Sequence, residues 1–120
     1  MPNQIVMKVI QSGLECAQAC DVCASQALSE IEPGNLSRAI RLAMDCAEIC
    51  LENVRLIRRD SELQVAMCHL CMEACDLCAE ECRRHGRSVD VCRMCAEACE
   101  RCSEACKSMA GVLAEDRLFQ

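Results

Sequence analysis

Ten cysteines in the second half of the chain fall on one spacing, 3-4-3-4. They are Cys68, Cys71, Cys75, Cys78 and Cys82, then Cys92, Cys95, Cys99, Cys102 and Cys106. Steps of three and four residues return a side chain to the same face of an α-helix, whereas a strand needs alternation at two. Two such stripes predict two helices that each turn a row of sulfur inward, as in a left-handed bundle. The first half carries shorter stripes of the same kind. Cys16, Cys20 and Cys23 are continued by Val9, Gly13 and Ala27, and Cys46 and Cys50 by Leu36, Ala39, Ala43, Asn53 and Ile57.

The stripes belong to an internal repeat. CAQACDVC (16–23), CMEACDLC (71–78) and CAEACERC (95–102) are variants of C-x-x-x-C-x-x-C, and CAEICLEN (46–53) is a fourth copy in which Asn53 stands for the last Cys. Breakers separate the copies. Pro33-Gly34-Asn35 is a strong one, and Asp60-Ser61-Glu62 interrupts the next periodic segment. Arg83-Arg84-His85 followed by Gly86 reads as a basic helix end, and Ser88 with Asp90 as the next start. Four helices follow, at about 4–30, 36–59, 62–85 and 89–110, rich in good helix formers. The tail 111–120 reads as an extra turn or a docking segment.

Short links favour antiparallel neighbours. The expected fold is all-α: a single domain over residues 1–120, an antiparallel four-helix bundle with a cysteine-lined core. Counting outward from the turns sets Cys20 level with Cys46 and Cys16 with Cys50. It also sets Cys82 against Cys92, Cys75 against Cys99 and Cys68 against Cys106. One end is then closed by Ile5, Val6, Val9, Leu56, Ile57 and Leu113. The other is small and thiol-lined, with Ala27, Ala39, Ala43, Cys82 and Cys92, and His85 just beyond.

Fifteen cysteines against one aromatic in 120 residues leave little bulk for an ordinary core. No apolar run is long enough to span a membrane. The first ten residues lack the basic-then-apolar pattern and cleavage site of a signal peptide, so the expected compartment is the cytoplasm. A net charge of −6 and a pI near 4.9 argue against a nucleic-acid surface. An odd cysteine count and helix-rich segments speak against a disulfide scaffold. A disulfide oxidoreductase uses one exposed pair at a helix start, ferredoxin spacing with its remote C-P is absent, and no carboxylate is paired with a nucleophile. The chain is not expected to be an enzyme.

Buried cysteine can serve as a small hydrophobe, but nearly whole stripes of it bury less apolar surface than Leu and are open to oxidation. The chemistry that needs them is soft-metal binding, by Cu(I), Zn, Cd or Fe–S. Sulfurs at i, i+3 and i+4 project together, with Cβ atoms about 6 Å apart. That reach suits linear or trigonal ions sharing sulfurs along a rod, whereas tetrahedral zinc draws four ligands to one point. One monovalent ion per thiolate also leaves a loaded core near neutral, and loading a protonated apo core releases protons. Multiple Cu(I) ions per chain fit best. The alternative is a Zn or Cd buffer of metallothionein type. Among the other soft donors, Met67 and Met72 flank the third stripe, and Met44, Met94 and Met109 are scattered. His69 lies off the stripe, and Asn53 is inward and polar, suited to setting register or bonding a backbone group.

On the repeated C-x-x-x-C-x-x-C units, the chain resembles the cytosolic copper storage proteins, the Csp family of bacterial four-helix bundles, over nearly its whole length. The resemblance implies storage of many Cu(I) ions inside the bundle and a homotetramer. Carried over residue by residue, the ligands are Cys16, Cys20, Cys23, Cys46, Cys50, Cys68, Cys71, Cys75, Cys78, Cys82, Cys92, Cys95, Cys99, Cys102 and Cys106, with His85 matching the family's entry-side histidine. The family's exported branch carries a leader that is not found here. The short stripes of helices 1 and 2 imply less metal at the plugged end. Expected partners are copper ions and a copper chaperone or copper-requiring enzyme, with no nucleic acid and no membrane.

Overall fold

The computed structural model describes residues 3–29, 33–85 and 89–118. Four helices account for nearly all of them: α1 (Asn3–Ala27), α2 (Ser37–Arg58), α3 (Gln64–His85) and α4 (Asp90–Leu118), with a 3₁₀ turn at Pro33–Leu36 leading into α2. The helices form a ring in which α1 packs on α2 and α4, and α3 packs on the same two. The result is a rod 54 × 21 × 19 Å, four parallel columns of residues around one axis. Among the described residues there is no strand, and no helix is long and apolar enough to cross a membrane.

Helix ends follow local chemistry. At the end of α2, the Asp60 N–H reaches the Ile57 carbonyl at 3.1 Å and the Ser61 N–H reaches Leu56 at 3.0 Å. These are the two bonds of a Schellman turn, and they require a left-handed residue at Asp60, whose φ is 49°. The Asp60 carboxylate then accepts from Gln64 Nε2 at 2.8 Å, which ties the turn to the start of α3. At the other end α1 stops at Ala27, before the segment up to residue 30 that the spacing assigns to it. Gly86 and Ser88, read from sequence as stop and start signals, lie outside the described residues.

α4 differs most from expectation. The spacing ends it near residue 110, but the helix runs through Gly111 to Leu118. Glycine costs about 1 kcal/mol in a helix interior; here Met109, Ala110 and Leu113 are buried on either side of it and hold the helix in place. Residues 111–118 are thus the last turns of α4, and Leu113 helps to close one end of the bundle.

Close approach of α1 to α2 depends on Gly13. A Cβ there would lie 2.8 Å from Val54 Cγ2 and 3.7 Å from the Cys50 carbonyl oxygen. Val54 is only 2% exposed, and its branched side chain has little rotamer freedom on a helix. Gly13→Ala sets a helix-propensity gain of about 1 kcal/mol against an overpacking cost of about 1–3 kcal/mol. Gly13→Ala therefore lowers the Tm of the metal-free protein, and adding Val54→Ala recovers the loss. A single variant that melts above the parent would show that Val54 moves aside freely.

Candidate metal centre

All fifteen cysteines are buried with no exposed surface and are present as free thiols. They occupy the axis because each stripe is flanked by alanine. Ala17, Ala24, Ala47, Ala74, Ala79, Ala96, Ala98 and Ala105 are all buried, and their small side chains let the helices close around the sulfur.

The sulfurs meet across helices. Cys16 Sγ lies 3.8 Å from Cys46 and 3.6 Å from Cys99. Cys46 is 3.7 Å from Cys75, Cys50 is 3.7 Å from Cys71, Cys78 is 3.8 Å from Cys95, and Cys95 is 3.6 Å from Cys20. Among the described residues these contacts resolve into five groups, each with sulfurs within 4.8 Å of one another. In order along the axis they are Cys23/Cys82/Cys95, then Cys20/Cys78/Cys95/Cys99, then Cys16/Cys20/Cys46/Cys99. Cys16/Cys46/Cys50/Cys75 and Cys50/Cys71/Cys75/Cys102 complete the series. Every group shares one or two sulfurs with the next. The groups are therefore one continuous column in which most sulfurs can bridge two ions.

The register matches the counting of levels to within about half a turn. Cys16 falls between Cys46 and Cys50, and both pairs named from sequence sit inside shared groups. The shortest α3–α4 sulfur pairs are Cys78–Cys95 at 3.8 Å and Cys71–Cys102 at 4.0 Å, with the Cys75–Cys99 and Cys68–Cys106 levels between and beyond them.

Hydrogen bonding divides the thiols by acidity. Hydrogen bonding with Cys16, Cys20, Cys50 and Cys75 holds Cys46 far below the usual thiol range against the effect of burial. Hydrogen bonding with Cys20, Cys23, Cys78 and Cys82 does the same for Cys95. Cys20 is pushed up by its bonding to Cys16 and Cys46 and by burial, and Cys99 by its bond with Cys16 and by burial. A thiolate at one position is stabilised by S–H donors around it, and those donors keep their own protons. Metal loading of such a cluster exchanges thiol protons for metal.

The two ends differ. At the end near the Pro33 turn, Cys92 lies 4.0 Å from Cys23. Hydrogen bonds from Cys23 and Cys82, with a smaller contribution from the charge of His85, bring the Cys92 thiol down to about 3. Beside it is a group that the sulfur pattern does not reveal. Glu81 is 6% exposed; its carboxylate accepts from Arg38 Nη1 at 2.8 Å and lies 3.3 Å from His85 Nε2 and 3.8 Å from Arg84 Nε. Burial opposes ionisation of Glu81, but the bonds from Arg38 and His85 outweigh it and hold the carboxyl below its ordinary range. The signal in the sequence is a Glu four residues before His85, the (i, i+4) spacing at which two side chains on a helix meet.

At the other end, the apolar plug contains Val9, Ile57 and Leu113 as expected, with Ile5 and Val6 packed against it; Leu56 is buried but outside that cluster. Met109, unassigned from sequence, is fully buried there. Asn53 donates from Nδ2 to Cys106 Sγ at 3.4 Å; of the two roles read for it, setting register or bonding a backbone group, the second is replaced by a bond to sulfur. Its Oδ1 is buried with no hydrogen-bond partner among the described residues. Met44, Met94 and His69 are exposed, and Met67 and Met72 are partly buried off the column.

A family model described as copper storage protein matches residues 2–111. The chain belongs to the copper storage protein family. Similar solved members include a cytosolic copper storage protein from Streptomyces lividans loaded with five coppers, at 35% identity and TM-score 0.88, covering 90% of this chain and 93% of that one. A structure of the same Streptomyces protein is loaded with ten copper equivalents. The apo form of copper storage protein 3 from Bacillus subtilis aligns at 38% identity and TM-score 0.78, covering 87% of this chain and 97% of that one. A cysteine-rich protein of Bacillus subtilis, YhjQ, is 39% identical over 76 residues, 63% of this chain and 70% of that protein. The solved members thus share the bundle over most of this chain.

Proposed function

We propose that this protein stores Cu(I), taking up many ions per chain on inward-facing thiolates and performing no catalysis. The continuous sulfur column carries this reading. Five groups joined by shared sulfurs offer three or four soft donors each with no gap between sites, so ions can be added side by side and passed along the axis. Fifteen cysteine sulfurs are the proposed ligands. His85, beside Cys92 at the thiol-lined end, is the proposed entry-side residue. The metal-loaded Streptomyces relative supports the choice of ion.

Charge supports it too. A Cu(I) ion that displaces a thiol proton leaves the charge of the core unchanged, so filling one site does not penalise the next. The four-sulfur groups would also accept tetrahedral Zn(II), with Zn–S bonds of about 2.3 Å. Four thiolates around one Zn(II) leave two negative charges uncompensated in a dry core, and sharing sulfurs relieves this only in part. The proposed setting is the cytoplasm, with assembly as a homotetramer and exchange of copper with a chaperone or a copper-requiring enzyme.

Anaerobic titration of the reduced protein with Cu(I) in competition with a strong Cu(I) chelator tests the reading. Tight uptake on the order of the thiol count, fifteen per chain, is expected, with Zn(II) displaced as Cu(I) is added. Saturation at one to four ions would mean a discrete site and reject storage.

A further inference from the structure

None of the fifteen cysteines has exposed surface, so nothing in solvent meets a thiol until the bundle opens. Chain connectivity limits where that can happen. The α1–α2 and α3–α4 hairpins are linked only through the turn at Asp60, which lies at the plugged end. At the thiol-lined end no chain link joins one hairpin to the other. The side chains there are small: Ala27, Ala39 and Ala43 are buried but remove little apolar surface from water. Val9, Ile57, Met109 and Leu113 remove far more at the plug. Opening therefore costs least at the thiol-lined end, with the Asp60 turn as the hinge.

One polar contact closes the seam there. Arg38, in the first turn of α2, donates from Nη1 to Glu81 Oε1 in the last turns of α3 at 2.8 Å. Among the described residues it is the only ion pair between the two hairpins; the others lie within one helix or join α3 to α4. The Glu81 side chain is 7% exposed and that of Arg38 54%. Glu81 stands one heptad after Ala74, which borders the groove between α2 and α3. His85 and Arg84, its other neighbours at 3.3 and 3.8 Å, are on its own helix and do not bind the hairpins together.

A charged pair in a seam differs from an apolar one. Closed, Glu81 has lost most of its hydration, and Arg38 compensates it. Open, both ions are solvated again, so opening regains the hydration that closing removed. An apolar side chain in the same place gains nothing from water and would hold the seam shut. Glu81 without Arg38 would force it apart. We propose that the Arg38–Glu81 pair is a releasable clasp between the two hairpins, and that its release opens the bundle about the Asp60 turn and exposes the thiols from the far end. The clasp is a property of the metal-free fold; its control of the rate of copper exchange rests on the storage reading.

The test uses reduced, metal-free, full-length protein as wild type, Arg38→Leu and Arg38→Leu/Glu81→Leu. Alkylation of each cysteine by iodoacetamide, a small neutral probe, is followed by mass spectrometry as a function of pH. A change in thiol acidity displaces the pH profile, whereas a change in opening multiplies the rate at every pH. In Arg38→Leu the rates at Cys23, Cys82 and Cys92 should rise about ten- to a hundredfold, while Cys68 and Cys106, beside the plug, keep wild-type rates. The double variant should react no faster than wild type. If Arg38→Leu does not fold, Arg38→Lys, which keeps the charge and loses the forked guanidinium, should give rates above wild type at the same three cysteines. A profile that is unchanged or only displaced, equal acceleration at Cys68 and Cys106, or a double variant as reactive as Arg38→Leu would overturn the clasp. Cu(I) transfer from a chelator complex should be faster to Arg38→Leu than to wild type, and an unchanged rate would overturn the control of exchange. Failure of wild type to take up many ions would overturn storage and not the clasp, which the metal-free rates decide.

Discussion

Filled with Cu(I), the protein should melt on the order of 30 °C above its reduced, metal-free form. The expectation follows from linkage. An ion that binds the native state at a free concentration 100 times its Kd stabilises it by about 2.7 kcal/mol. Four independent sites at that saturation already give about 11 kcal/mol, comparable to the whole stability of an ordinary domain. For a chain of this size, each kcal/mol moves the Tm by about 3–5 °C. Thiols in the unfolded chain also bind copper, but they lack the preassembled groups in which sulfurs from different helices already lie 3.6–4.0 Å apart, so the native state keeps the advantage. Anaerobic calorimetry of the two forms measures the shift. A difference of only a few degrees would mean that the folded column binds copper no better than loose cysteines do.

Cutting the column at its middle should cost more copper than the missing sulfurs alone explain. Cys16 and Cys46 are 3.8 Å apart and each belongs to two adjacent four-sulfur groups. Cys16→Ala/Cys46→Ala removes half the donors from both groups and the bridge between the upper and lower halves. The expected result is a loss of more than two ions per chain, with the Cys50/Cys71/Cys75/Cys102 half filling more slowly than in the parent. Cys78→Ala/Cys102→Ala is the control, because each of those cysteines belongs to one group only; it should lose fewer ions and keep its filling rate. The alanines leave small cavities, so both variants are compared by metal-free Tm as well, where similar losses are expected. Equal copper losses in the two variants would show that the groups fill as separate sites and that shared sulfurs carry no special weight.

Much of the architecture is legible in the chain itself. A 3-4-3-4 cysteine spacing leaves no alternative to an inward helical stripe, and four copies separated by short breakers leave little alternative to a four-helix bundle. The plug, too, follows from where Val9, Ile57 and Leu113 stand relative to the stripes. Helix ends are less legible. Gly111 looks like a stop signal locally, yet burial of Met109 and Leu113 carries α4 past it. Glu81 escapes a sequence reading because its neighbours are charged and its stripe is sulfur; only its packing against Arg38, 43 residues away, buries it. The partner of Asn53 is hidden for a similar reason, since a polar residue on an inward stripe has no visible acceptor until α4 supplies Cys106.

Sequence by itself determined the number of helices, which face of each is sulfur, and which end is apolar, because helical periodicity and side-chain chemistry are properties of the local chain. Tertiary structure decided which sulfurs belong together. Whether Cys16 sits beside Cys46, Cys50 or both depends on a shift of half a turn between two helices, and that shift is set by how closely they approach. The approach is fixed by Gly13 lying against Val54 and by alanines filling the space around the thiols. Joining fifteen thiols into one column is a packing outcome that no single stripe encodes.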